Sequence, residues 1–137
     1  MMAILVAALA QPTPPAGVRT IDRGTQSNMD AARQVVVRSE ADWTKLWRQH
    51  APDRKPPAVD FGKEIVVAVF AGSKPTSGYE VAIVAMREAS GGLVVDYQET
   101  QPARDAMTAQ VLTSPYHIVA IPKREGEVRF AKGRSEK

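Results

Sequence analysis

One segment limits the fold more than any other part of the chain. Residues 64–71 have the sequence Glu-Ile-Val-Val-Ala-Val-Phe-Ala. Alternate side chains of a strand point to opposite faces, and here both faces are apolar. Such a strand must be covered on both sides, so the segment predicts the central strand of a buried sheet. A chain of 137 residues has room for one core around it.

The rest of the body shows mostly β patterns. Ser90-Gly91-Gly92 predicts a hairpin turn between two of the strand candidates. Because only one helix is predicted, parallel strands with helical crossovers are disfavoured. We expect a mainly β (α+β) fold, an antiparallel sandwich or a partly open barrel of seven to eight short strands. The remaining strand candidates are residues 18–21, 34–38, 79–86, 93–98, 109–112, 116–121 and 127–131.

The single predicted helix begins after Ser39, which can cap it. Asp42, three residues later, is placed to complete a weak form of the capping box. We interpret the two tryptophans of its apolar stripe as anchors on the sheet, in preference to a stacking platform for a sugar or base. We interpret the histidine of that stripe, in the last turn, as complementing the helix dipole. Pro52 ends the helix. The stripe consists of Trp43, Leu46, Trp47 and His50.

The two ends of the chain differ from its body. Residues 1–10 are almost wholly apolar and end in Ala8-Leu9-Ala10, a small-x-small cleavage pattern, before a Pro-rich stretch. We interpret residues 1–17 as a signal-peptide remnant and linker, 18–131 as a single globular domain, and 132–137 as a polar tail. The apolar run is too short to span a bilayer, so we expect no stable membrane span. The interpretation as a signal peptide leads us to expect an exported, periplasmic or secreted protein.

Composition argues against catalysis. The chain has no cysteine and two histidines, which excludes thiolate metal sites and a cysteine nucleophile and leaves little for a histidine-based site. The candidate carboxylates have no diagnostic spacing, and no Gly-x-Ser-x-Gly motif is present. The net charge of +3 is spread along the chain, so we expect no nucleic-acid partner. We therefore predict no enzyme activity, no catalytic residue, no metal and no cofactor.

The loop after the central strand is the candidate binding site. It is longer than a hairpin turn requires, and it combines hydroxyls, a cation and an aromatic ring on a rigid scaffold. A stiffened loop with a purely structural role is the alternative. Its spacing does not fit a phosphate-binding loop. The candidate partner-binding residues are Lys74, Pro75, Thr76, Ser77, Gly78 and Tyr79.

Three parts of the chain resemble the C-terminal domain family of the protease-complex subunit PrcB. They are the apolar strand with the loop that follows it, residues 110–122, and the segment Val128-Arg129-Phe130 near the end of the chain. The resemblance covers roughly residues 60–131. It implies an exported bacterial domain, often behind a signal or lipoprotein peptide, in a family named for a subunit that assists a secreted protease complex. No catalytic activity is attached to that family. The chain lacks a lipobox cysteine.

The same loop is also similar to the Asn-Pro-Thr-Thr-Gly-Tyr loop of chagasin-type cysteine-protease inhibitors, with Lys74 in place of the asparagine. No second or third inhibitory loop is evident.

Three hypotheses about function follow from these patterns and resemblances. The first is an adaptor or stability subunit that binds a protein partner, with a protease as one candidate. The second is a chagasin-like inhibitor, and the third is a hydrolase with an unrecognised site. The sequence leaves the oligomeric state open.

Overall fold

The computed structural model describes residues 17–133 of the chain. The interpretations of residues 1–16 and 134–137 fall outside the described residues. Within residues 17–133, seven strands form two sheets with one helix, and these sheets do not close into a barrel, which confirms the predicted mainly β fold. The elements are β1 Arg19–Gly24, β2 Arg33–Val37, α1 Glu40–His50, β3 Glu64–Phe70, β4 Glu80–Ala89, β5 Gly92–Thr100, β6 Tyr116–Pro122 and β7 Val128–Gly133.

The first sheet has the strand order β1-β6-β3-β2. Its strand β3 lies between two antiparallel neighbours, and alternate side chains enter two different cores. Val66, Ala68 and Phe70 face the helix. Ile65 and Val67 face the second sheet. The molecule is thus built in three layers, helix, sheet and sheet, and the prediction of a central strand covered on both sides is confirmed.

The helix lies on the first sheet through its two tryptophans. Trp43 and Trp47 are buried, and each indole N–H donates to a backbone carbonyl of the loop after the helix. The acceptors are Pro57, at 3.0 Å, and Arg54, at 2.9 Å. Buried indoles require such partners. The interpretation of both rings as anchors is therefore confirmed, and the rings also hold the Pro-rich loop in place.

Local signals set the ends of the helix and the hairpin. Ser39 Oγ accepts the Asp42 N–H at 3.2 Å, as the predicted cap requires. In the turn between β4 and β5, Ser90 and Gly91 both have positive φ, 51° and 76°. Two positive φ values in succession are typical of the two-residue turns that match strand twist. The predicted hairpin is confirmed.

The second sheet has the order β4-β5-β7, and here one pairing differs from the expected antiparallel pattern. β7 runs parallel to β5, with Leu93 opposite Val128. The chain leaves β6 in the first sheet and crosses to the second sheet before it enters β7. Side-chain alternation determines which face of a strand is buried, but it does not determine the direction of its neighbour.

The strand predicted for residues 109–112 is wrong. This segment belongs to a long connection between β5 and β6, in which only Thr113 and Ser114 form isolated β-bridges. Val111 and Leu112 are 43% and 71% exposed, so no sheet face covers the apolar side chains that suggested a strand. Within the described residues, the helix is neither long nor apolar enough to cross a membrane.

Candidate functional site

The loop of residues 72–79 connects strands that belong to different sheets, β3 and β4. This explains its length, because a two-residue turn cannot cross between layers about 10 Å apart. Gly72 and Gly78 have φ of +84° and +96°, a region that side chains disfavour. A Cβ at Gly78 would also lie 2.8 Å from the Pro102 Cβ. The backbone conformation of the loop therefore requires glycine at both ends.

A second loop, residues 101–115, holds the first one in place. Lys74 and Thr113 exchange backbone hydrogen bonds at 2.7 and 3.0 Å. Ser77 donates its N–H to the Ala109 carbonyl at 3.1 Å, and its Oγ accepts the Ala109 N–H at 2.8 Å. The Thr113 hydroxyl donates to the Thr76 carbonyl at 2.9 Å. We call the two segments together the two-loop surface.

Lys74, a candidate contact residue, has its charge engaged within the surface. Its Nζ lies 3.3 Å from one carboxylate oxygen of Glu99, and Lys132 lies 3.4 Å from the other. The same ammonium lies 5.7 Å from the centre of the Tyr79 ring, within the range of a cation–π contact. Lys74 therefore ties the first loop to β5 and orients Tyr79.

Three large apolar side chains stand exposed on the second loop. Met107 is 98% exposed, Leu112 71% and Val111 43%, and these are the exposed large hydrophobic residues among residues 17–133. They lie beside the predicted loop, because Ala109 and Thr113 bond to it. Sequence reasoning missed them, since it assigned residues 109–112 to a strand. The available signal was that the apolar pair Val111-Leu112 lies in a mostly polar segment between Pro102 and Pro115.

His117 joins the two sheets and is fully engaged. The Ile83 N–H of β4 donates to its Nδ1 at 2.9 Å, so the ring proton is on Nε2, which bonds Thr20 Oγ1 of β1 at 2.9 Å. Burial, reinforced by the nearby Arg23 charge, lowers the pKa of His117 to about 4. The ring is therefore neutral near pH 7.

His50 forms a buried network that the sequence did not reveal. Its Nδ1 lies 2.8 Å from Ser27 Oγ, and its Nε2 lies 3.1 Å from an Asp22 carboxylate oxygen. Burial lowers the pKa of His50, against the opposing effect of Asp22. The interpretation of His50 as a charge on the helix dipole is wrong, because burial disfavours the charged form. Its function in the fold is to join the helix to β1.

A serine, a histidine and an aspartate connected in this order also form the catalytic triad of some hydrolases. Whether this network could act as a triad depends on the groups around Ser27. Ser27 Oγ already accepts the Met29 N–H at 2.9 Å. The N–H groups of Ser27 and Asn28 donate to the carbonyls of Ser114 and His50. An oxyanion hole needs free donors beside the nucleophile. These backbone donors are occupied, so the arrangement is suited to holding the fold together.

Comparison with known proteins gives one match. The model of the family described as PrcB C-terminal matches residues 65–122, inside the region that showed the resemblance. No curated protein and no solved structure matched the chain. The matched segment begins in β3, ends in β6 and contains both loops of the two-loop surface. Residues 65–122 of this chain therefore belong to the PrcB C-terminal family.

Proposed function

We propose that this chain is a non-catalytic, exported domain that binds a protein, as a subunit of, or a stability factor for, a secreted protease or envelope complex. Membership of residues 65–122 in a family named for a protease-complex subunit supports the association with a protease. The apolar residues 1–10 and the Ala8-Leu9-Ala10 pattern support export.

The observation that carries the binding proposal is the exposed apolar group Met107, Val111 and Leu112 on the two-loop surface. Neighbouring exposed apolar side chains mark protein interaction sites. The loop Lys74–Tyr79 gives this group a stiff support, because the backbone of its first four residues bonds to the second loop at three positions. A preorganised surface loses less entropy on binding. In this proposal the second loop supplies the apolar contacts and the first loop fixes their position.

Capture from an envelope extract of the source cells tests the proposal. The full chain is compared with a triple variant, Met107→Ser, Val111→Ser and Leu112→Ser. Because these side chains are already exposed, the variant should fold normally. The matched control is Ala103→Ser with Ala106→Ser, two exposed positions of the same loop. We expect the triple variant alone to lose its main partner, and binding of that purified partner is then measured by calorimetry. Identical partner lists for all three proteins would refute the assignment.

A chagasin-like protease inhibitor is the second candidate. It is favoured by the position of the 101–115 loop beside the loop that contains Thr76 and Gly78, because inhibitors of that kind use several loops on one edge. Inhibition assays against papain-like and chymotrypsin-like proteases test it, with Thr76→Ala and Gly78→Ala as variants. No inhibition at micromolar concentration would exclude this candidate and leave the subunit role.

The absence of catalysis is also a proposal that can be tested. We expect no hydrolysis of p-nitrophenyl acetate beyond the rate of the Ser27→Ala variant, because the donors near Ser27 are occupied. A Ser27-dependent rate would show that the network of Asp22, Ser27 and His50 is a working hydrolase site.

A further inference from the structure

A groove runs along one side of the sandwich, between two strands that each end a sheet. β1 is the edge of the first sheet and β4 is the edge of the second. The groove is lined by Val18 and Thr20 on one wall, Ala82 and Ala85 on the other, and Val119 at its floor, around a cavity of about 270 Å³. Edge strands have backbone groups without a strand partner, so they can pair with an added chain. On β4 the Ile83 N–H is already bonded to His117, which leaves the rest of that edge for pairing.

The groove continues past this cavity. A second cavity of about 260 Å³ shares Val18 and Met86 with the first and extends to Lys123 and Arg124. The two together fall in the size range of about 300–1,000 Å³ that is common for ligand sites. Along β6, the distance from His117 to Lys123 is about 20 Å, at about 3.3 Å per residue. The groove therefore has the length of an extended peptide of about six residues.

Unused donors lie at one end of the groove. Arg124 Nε is buried and has no hydrogen-bond partner within residues 17–133. A buried donor without an acceptor costs free energy, so such a group needs an explanation. Lys123 beside it donates to the Phe61 carbonyl at 3.2 Å, and it has no ion-pair partner in the described part of the chain. This end of the groove therefore favours an anionic acceptor.

The same end is closed. The Arg124 guanidinium bonds both carboxylate oxygens of Glu88 on β4, at 2.6 and 3.1 Å. The pair joins β4 to the connection after β6 across the end of the groove, so a chain lying in the groove has to stop or turn there. A free carboxyl terminus meets both conditions, since it ends the chain and supplies the acceptor.

We propose that this groove binds the carboxyl-terminal segment of a partner protein, about six residues in extended conformation with small apolar side chains. Its terminal carboxylate is bound by Lys123, next to the Arg124 guanidinium. The backbone pairs with the open edge of β4 or β1, and the side chains fill the two cavities. This site does not depend on the two-loop surface, and its ligand is recognised by different chemistry.

Fluorescence anisotropy of labelled peptides with the full chain tests the proposal. The probes are fluorescein-labelled Gly-Val-Ala-Val-Ala-Val as the free acid, the same peptide as the C-terminal amide, and an amide in which aspartate replaces the last valine. We expect the free acid to bind at least about tenfold more tightly than either amide, because it alone places a terminal carboxylate on the donors.

Variants locate the site. Ala85→Trp fills the groove from an exposed position and should abolish binding, whereas Ala41→Trp on the exposed face of the helix should leave it unchanged. Lys123→Gln should weaken binding of the free acid by about tenfold and leave the amide unaffected. Because Lys123 is exposed, this variant keeps the test valid if Ala85→Trp disturbs the fold.

Several outcomes would overturn the proposal. These are equal affinity for the free acid and the amide, no binding at millimolar peptide, or preference for the amide that ends in aspartate. A chain that sediments as a dimer, and becomes monomeric in Ala85→Trp without binding any peptide, would show that a second copy occupies the groove. The triple variant of Met107, Val111 and Leu112 should bind the peptide normally, which separates this proposal from the function of the two-loop surface.

Discussion

Acid should weaken the contact between the two sheets through His117. In the neutral ring, Nδ1 accepts the Ile83 N–H and Nε2–H donates to Thr20. Protonation would add a proton at Nδ1, where it would oppose another N–H donor. The bond to Ile83 links β6 of the first sheet to β4 of the second, so its loss acts on the interface between the sheets. The bond to Thr20 links β6 to β1 within the first sheet.

The size of the effect follows from the difference in the pKa of His117 between the two states. Folding lowers it from 6.5 to about 4, chiefly by burial. At 1.36 kcal/mol per unit this corresponds to about 3 kcal/mol in the free energy of unfolding. Because the unfolded chain binds the proton more readily, the contribution is complete above pH 6.5. It decreases as the pH falls and is lost below about pH 4.

Urea denaturation of the full chain, with His117→Gln for comparison, measures this contribution. Between about pH 7.5 and pH 5 the native chain should lose about 1–2 kcal/mol more than the variant. His50, whose pKa burial also lowers, is present in both proteins, so its effect cancels in the difference. Glu64 and Glu88, whose pKa values are lowered by hydrogen bonds to arginines, are also present in both proteins, so their effects cancel in the same way.

Two results would refute the reasoning about His117. One is a constant difference in stability between the native chain and His117→Gln across this pH range. The other is a pKa near 6.5 for the His117 ring, followed by NMR in the folded chain. Either would mean that the imidazole is accessible to protons without loss of the contact between the sheets.

Three further predictions concern stability, measured by urea denaturation at neutral pH. Gly78→Ala should cost about 1–3 kcal/mol and exceed the cost of Gly91→Ala, because both have positive φ but only Gly78 has a proline ring against it; equal costs would contradict this. Trp43→Phe should cost about 1–3 kcal/mol, since it leaves a half-buried carbonyl of the Pro-rich loop without its donor; an unchanged midpoint would show that water replaces the indole. Met107→Ser with Leu112→Ser should change stability by less than about 0.5 kcal/mol, as expected for exposed side chains, and a larger loss would mean that they pack on the fold.

Much of the core could be predicted from local sequence. The strand β3 was identifiable because an apolar segment with no polar face must be covered on both sides. The helix was identifiable because Ser39 and the spacing of its apolar stripe are both local features. The turn at Ser90 and Gly91 was predictable for the same reason, since positive φ favours particular residue types. Each of these signals lies within a few residues of the feature that it determines.

The features that the sequence did not reveal depend on distant contacts. Val111 and Leu112 have the composition of a strand, but exposure is a property of what surrounds a segment. His50 could be placed on the buried face of the helix, yet its partners Asp22 and Ser27 are far away in sequence. Its protonation state therefore depends on a cavity that no local pattern describes. The candidate loop was found, whereas the apolar residues beside it were not.

Both candidate surfaces follow from the way the chain alternates between sheets. It crosses between layers after β3, after β5 and after β6, and each crossing must span about 10 Å without sheet pairing. The first two crossings meet at one end of the sandwich, because Phe70, at the end of β3, pairs with Tyr116, at the start of β6. They form the two-loop surface. The third crossing begins at the opposite end, after Pro122, and places Lys123 and Arg124 across the end of the groove. The topology thus provides two separate places where irregular backbone, held by rigid strands, can contact other molecules.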